Sequence, residues 1–150
     1  MLRGQFSVSF ATRVVLGFLL MIALVYATLM MENAIKKESQ KQTLVAVSEY
    51  VATNVFSTIN YLSPGQSASQ SFRVPMSRDY FTGQYSVRLE GVGGAAYVAV
   101  QSTKWPNMTA RHPLFLNTSH LDMDTTRVFP PLVCIEASRN TTHYIMSLKC

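Results

Sequence analysis

The stretch Val14–Met31, VVLGFLLMIALVYATLMM, holds eighteen residues without a single charge. As an α-helix it would extend about 27 Å at 1.5 Å per residue, close to the roughly 30 Å hydrocarbon core of a bilayer. Because this run lies near the start of a chain of 150 residues, we expect residues 14–31 to form a transmembrane helix. The remainder is long enough for one small domain at a membrane surface.

Residues 1–13 form a short basic segment before the apolar run, and three interpretations of this N-terminus stay open. A cleaved secretory signal has an apolar core of about 7–15 residues and a small-residue cleavage site. Here the run is longer and ends at Met30-Met31-Glu32-Asn33, so an uncleaved signal-anchor helix is favoured. The third interpretation is a leader cut after Gly4, because Met1-Leu2-Arg3-Gly4 resembles the short basic leaders of archaeal type IV pilin-like proteins.

The charge distribution indicates which partners the chain can bind, and the sequons indicate on which side of the membrane its C-terminal part lies. The net charge is +5 and 14% of residues are charged, against about 25% in typical globular proteins. The basic residues are scattered singly, which argues against a nucleic-acid surface. Lys and Arg flank the apolar run on both sides, so the positive-inside rule does not decide the orientation. Three sequons favour an extracellular C-terminal part and are possible N-glycosylation sites: Asn107, Asn117 and Asn140.

Residues 32–63 contain no Pro and no Gly, and we expect them to continue the transmembrane helix as an amphipathic one. Ser63-Pro64-Gly65 ends it, since Pro cannot continue a helix. Apolar residues recur every three or four positions. They are Leu44, Val47, Val51, Val55, Ile59 and Leu62, with a second, partial row of Val45, Tyr50, Phe56 and Tyr61. Two uses stay open: packing on a sheet of the same domain, or assembly with copies of the chain.

We expect residues 64–150 to form an extracellular domain, and from Ser71 onward the pattern changes to a period of two, which is typical of β-strands. Tyr85–Glu90 and Ala96–Gln101 flank a Gly-rich turn and predict a β-hairpin. A second hairpin is predicted from Leu132–Ala137 and His143–Lys149. Weaker strands are predicted at Ser71–Pro75, Pro113–Leu116 and Thr126–Phe129. Six or seven short strands predict a small antiparallel β-sandwich head, so the fold class is α+β, with a long N-terminal transmembrane helix before the sandwich.

Cys134 and Cys150 are the two cysteines of the chain, and a disulfide between them is possible. An exterior location favours the bond. A tight turn centred on Arg139 and Asn140 would leave Cys150 about 13 Å along its strand, beyond the roughly 7 Å between Cα atoms that a disulfide spans. A wider loop or a bulge would bring the two together, so the pairing stays open.

The sequence contains no recognisable catalytic, cofactor-binding or metal-binding set, and we therefore predict neither enzymatic activity nor a cofactor. The three histidines do not have the spacing of metal ligands. His120 lies near Asp122 and Asp124, but these lack the further ligands of a calcium loop, and a solvated loop is favoured. Trp105 and Phe115 are expected in the core rather than in a surface patch.

The order of the segments resembles that of archaeal type IV pilin-like proteins, including archaellum-associated, membrane-anchored β-sandwich proteins. The resemblance rests on the leader Met1–Gly4, the helix Val14–Met31, the segment SEYVATNVFSTI from Ser48 to Ile59, and a β-rich head. It implies a structural cell-surface protein, either a filament subunit or a filament-associated component. Its partners would be the lipid bilayer and copies of itself or sister subunits, contacted through the N-terminal helix.

The alternative is a single-pass accessory subunit of a membrane complex, or an envelope anchor whose β-domain docks on a partner protein or glycan. Arg13 interrupts the apolar start that the resemblance implies for a major pilin. A charge at that position is easier to accommodate in a minor subunit or an anchored protein.

Overall fold

The structure is a computed structural model that describes residues 3–74, 85–129 and 131–150, with side chains from residue 10 onward in those ranges. It consists of a long helix followed by two β-sheets, which confirms the predicted α+β class. The elements are α1 (Arg3–Asn60), β1 (Ser67–Arg73), β2 (Tyr85–Val92), β3 (Ala95–Ser102), β4 (Thr109–Asn117), β5 (Leu121–Met123), β6 (Leu132–Arg139) and β7 (Tyr144–Lys149), with a 3-10 turn at Thr118–His120.

The chain divides into two units, one ending at Gln40 and one comprising Lys41–Cys150. We call the second unit the head. Helix α1 is continuous over 58 residues, so its last third belongs to the head. It ends at Asn60, slightly before the predicted stop. The chain then turns at Gly65, whose φ of +82° favours glycine, and whose N–H donates to the carbonyl of Arg139 at 2.8 Å.

Strands β2, β3 and β4 form a three-stranded antiparallel sheet in chain order. The predicted hairpin between β2 and β3 is confirmed, and its turn lies at Gly93 and Gly94. Both glycines have positive φ, +60° and +84°, as a two-residue turn that follows the strand twist requires. Strand β4 is longer than the predicted Pro113–Leu116, because pairing with β3 begins at Thr109.

The other sheet has the strand order β1-β6-β7-β5. The second predicted hairpin is confirmed as β6 and β7. Strand β5 runs parallel to β7, so this sheet is mixed rather than wholly antiparallel. Strand β1 begins at Ser67, four residues before the predicted start, and Pro75 lies outside the described residues. The predicted strand Thr126–Phe129 is wrong, except for one bridge between Val87 and Val128.

The helix row predicted from spacing lies in the hydrophobic core of the head. Its six side chains are at most 4% exposed, and they share one cluster with inward residues of both sheets, such as Val98 and Ile135. The row is Leu44, Val47, Val51, Val55, Ile59 and Leu62. The head part of α1 is therefore a structural component of the β-domain.

Cys134 and Cys150 form a disulfide with a Cα–Cα distance of 5.6 Å. The hairpin loop is wider than a tight turn at Arg139 and Asn140, because β6 and β7 pair from Arg139 with Tyr144 onward. This register places Cys134 opposite Lys149, the neighbour of Cys150. The bond therefore follows from the four-residue width of the loop.

Candidate functional site

The apolar run of α1 is a continuous exposed surface among the residues that the structure describes. Every large apolar side chain from Val14 to Met31 is more than half exposed, from 52% at Val14 to 70% at Phe18. The most apolar eighteen-residue window has a mean hydropathy of 2.5, and none of it is buried. By length and composition, α1 can cross a membrane. An apolar surface this continuous needs a bilayer or other apolar partners to cover it.

Polar groups in and around the run are arranged as a low-dielectric environment requires. The Thr28 hydroxyl lies 2.8 Å from the carbonyl of Val25 and 3.0 Å from that of Leu24, so its hydrogen bond stays within the helix. Just beyond the run, Lys36 Nζ donates to Glu32 Oε1 at 2.5 Å. This hydrogen bond from Lys36 lowers the pKa of the Glu32 carboxyl. Charged side chains thus begin where the apolar surface ends.

The two rows of the amphipathic segment have different environments. The row from Leu44 to Leu62 is buried in the head and is not on its surface. Val45, Tyr50, Phe56 and Tyr61 are 38–85% exposed. Tyr50 contacts Phe72 of β1 edge-to-face at 5.7 Å between ring centroids. An assembly contact made through α1 would therefore use the residues of the apolar run, not those of the buried row.

All three sequon asparagines are exposed on the head. Asn107 lies in the β3–β4 loop and Asn140 in the β6–β7 loop. Asn117 is the last residue of β4, and its side chain caps the 3-10 turn by accepting from the Ser119 N–H at 3.0 Å. Each position is accessible to a modifying enzyme.

The two aromatic residues expected in the core lie apart, Trp105 in the β3–β4 loop and Phe115 near the end of β4. The prediction is wrong for Phe115, which is 84% exposed. Its φ of +53° is unusual for a non-glycine residue, and it lies where β4 bulges against β3 between Ala95 and Tyr97. Trp105 is partly buried, and Lys104 Nζ lies 4.8 Å above its ring. The two aromatics do not form a common patch.

The residues that could bind metals are mostly dispersed. Among the described residues no group of three or more His, Cys, Asp or Glu side chains is placed to bind an ion together. Asp124 instead accepts hydrogen bonds from the Thr126 hydroxyl at 2.5 Å and the Thr126 N–H at 2.9 Å. These bonds lower the pKa of Asp124. His120 and His143 are brought together, with ring centroids 5.9 Å apart. Because they lie 23 positions apart in the sequence, local spacing does not indicate that they are close.

Comparison of the chain with protein-family models, with curated proteins and with solved structures gives no match.

Proposed function

We propose that this chain is a structural cell-surface protein of the pilin-like class, a filament subunit or filament-associated component. Its apolar run is anchored in the membrane and assembles with copies of itself or sister subunits, and its head lies outside the cell. The continuous exposed apolar surface of Val14–Met31 carries the proposal. Leu, Ile, Phe and Val each favour insertion by about 0.3–0.6 kcal/mol at a helix centre, so the run sums to several kcal/mol.

Two features of the head support the extracellular side. Disulfides persist in oxidising compartments, and the Cys134–Cys150 bond closes the β6–β7 hairpin. The exposed sequons at Asn107, Asn117 and Asn140 supply acceptors that a secreted domain offers. Glycan mass on any of the three would support this side. Three bare asparagines together with protease access to the head from the cytosolic side would contradict it.

The mass of the native protein tests the pilin-like processing. We expect loss of residues 1–4, since a leader peptidase would cut after Gly4. An intact N-terminus would reject pilin-type processing and leave the anchored alternative.

Cross-linking in native membranes tests assembly through the helix. Leu20→Cys places a thiol in the middle of the exposed apolar run, and Glu49→Cys places one on the exposed helix surface within the head. The native cysteines are disulfide-bonded and do not react with a bis-maleimide. We expect dimers and higher species from Leu20→Cys and few from Glu49→Cys. Equal yields from the two variants, or none from either, would contradict helix-mediated assembly.

The second candidate is a membrane-anchored accessory subunit whose head docks on a partner. Phe115 favours it, because a left-handed backbone at a bulky residue costs about 1–3 kcal/mol, and such strain concentrates at functional sites. An exposed aromatic ring is a typical contact residue of a protein interface. Phe115→Gly would relieve the strain and stabilise the head, and under this alternative it would also release the partner from purified complexes.

A further inference from the structure

His120 and His143 are neighbours because of the parallel pairing of two short strands. His120 ends the 3-10 turn directly before β5, and His143 directly precedes β7. The first paired residues of these strands are Leu121 and Tyr144. The two histidines therefore lie side by side at the same end of the sheet, with both side chains exposed and their ring planes tilted by 55°.

The distance between the rings suits a shared metal ion. Two imidazoles that bind one zinc ion at Zn–N distances of about 2.0–2.1 Å have ring centroids about 5 Å apart. The observed distance is 5.9 Å. Closing the difference takes about 1 Å, which side-chain rotation supplies, since χ2 of histidine is a soft torsion and both rings are at the surface.

A neighbouring hydroxyl orients one of the rings. Thr142 Oγ1 lies 2.8 Å from His143 Nδ1. When Nδ1–H donates to this hydroxyl, Nε2 carries the lone pair and is available as a ligand. A hydrogen bond of this kind, from the non-ligating nitrogen to a nearby oxygen, accompanies most metal-binding histidines and fixes the tautomer.

The backbone under both rings is fixed by hydrogen bonds. The Asn140 N–H donates to the carbonyl of His143 at 2.8 Å, which closes the β6–β7 loop. On the other side, the side chain of Asn117 caps the 3-10 turn that ends in His120. The backbone of both ligand residues is thus fixed before an ion arrives, and only the two side chains lose freedom on binding.

We propose that His120 and His143 form a two-histidine site for a divalent late transition-metal ion, with water completing the coordination. Imidazole ligands suit Cu²⁺, Ni²⁺ and Zn²⁺, and the Irving–Williams order places Cu²⁺ first. The bound ion joins the turn before β5 to the β6–β7 loop. Binding therefore stabilises the folded head, and the stabilisation grows with the logarithm of the ratio of the ion concentration to the dissociation constant.

The test uses the full chain in detergent micelles, without a histidine tag, titrated with Cu²⁺ and separately with Zn²⁺. We expect one Cu²⁺ ion per chain, and pulsed electron paramagnetic resonance of that ion should show two coordinated imidazoles. Zn²⁺ binds at the same site more weakly and raises the unfolding temperature of the head. A resonance spectrum with a single imidazole, or binding at several weak sites, would overturn the proposal.

Three variants separate the pair from ordinary surface histidines. His120→Asn and His143→Asn each lower the Cu²⁺ affinity at least tenfold, because each leaves only one imidazole ligand. His112→Asn is the matched control, since His112 lies on β4 and pairs with Val98 of β3, and it leaves the affinity unchanged. Losses of less than twofold in the first two variants, or an equal loss in the third, would refute the site. The spectrum of the unaltered chain decides the question if a variant does not fold.

Discussion

Val51 and Val45 lie six positions apart on α1 in opposite environments, and they allow a matched test of the head core. Val51 is fully buried among the strands, and Val45 is 49% exposed. The substitutions Val51→Ala and Val45→Ala remove the same two methyl groups from the same helix. Both also gain roughly 0.5 kcal/mol of helix propensity. Their difference therefore reports burial alone.

The size of the effect follows from the packing. Two buried methyl groups are worth about 1.6 kcal/mol of transfer free energy, and the cavity left at Val51 adds up to about 1 kcal/mol at roughly 24 cal/mol per Å³. After the propensity gain, Val51→Ala lowers the free energy of unfolding by about 1–2 kcal/mol. Val45 loses half of the transfer term and leaves no cavity, so the net change is about 0–0.5 kcal/mol.

The assay is unfolding of the full chain in a mild non-ionic detergent. Trp105, the single tryptophan, lies in the head and reports its unfolding by fluorescence. For a unit of about 110 residues, the two midpoints should differ by about 3–8 °C. Equal midpoints within about 2 °C would refute the conclusion that the helix row is part of the head core.

Three further perturbations test other contacts of the head. Replacing both Cys134 and Cys150 by Ala removes a cross-link between positions 16 residues apart and should lower the free energy of unfolding by about 3 kcal/mol. The unaltered protein under reductant should show the same loss. A loss below about 1 kcal/mol would contradict this expectation. Gly94→Ala should cost about 1–2 kcal/mol because φ is +84°, and Gly94→Asn should cost less; equal costs in thermal unfolding would argue against a left-handed requirement. Hydrogen bonds from Thr126 lower the pKa of Asp124 in the folded state, so this carboxylate stabilises the fold above its unfolded pKa of about 3.9, and the contribution disappears as the pH falls through the lower folded pKa. The stability difference between the unaltered protein and Asp124→Asn should be constant from pH 5 to 7 and vanish at the acid end. A difference that does not depend on pH would reject this linkage.

Local sequence patterns predict much of the fold. The row from Leu44 to Leu62 identifies its own buried face, because helical spacing alone determines which side chains share a side. The β2–β3 hairpin is predictable for a similar reason, since Gly93 and Gly94 allow the turn and the flanking residues alternate. Both are signals that lie within about twenty residues of sequence.

The remaining strands depend on pairing between distant segments. The first half of β1, SASQ, has little β propensity of its own, and it becomes a strand through its register with β6. Strand β5 has three residues and is defined by parallel pairing with β7. Neither pairing leaves a mark in the local sequence, so the mixed character of this sheet is not predictable from it.

The candidate sites also differ in whether local sequence patterns or pairing between distant segments forms them. The apolar run is visible in the sequence, since its composition alone indicates a membrane helix. Phe115 is exposed because its backbone is left-handed at a bulge, and that geometry is set by β3. His120 and His143 meet through the β5–β7 register. In the sequence, the candidate metal ligands near His120 are Asp122 and Asp124, and His143 lies too far away for a local pattern to include it.

The strand order also determines when each part of the head can form during synthesis. Strands β2, β3 and β4 follow one another in the chain and need only short loops to pair. The other sheet joins Ser67 to Ser138, so it cannot close until β6 has been made, and long-range closure is the slow step in folding. Until then the helix row facing that sheet stays uncovered. We therefore expect changes in β6 and β7 to lower the yield of folded protein as well as its stability, and to produce aggregation during expression.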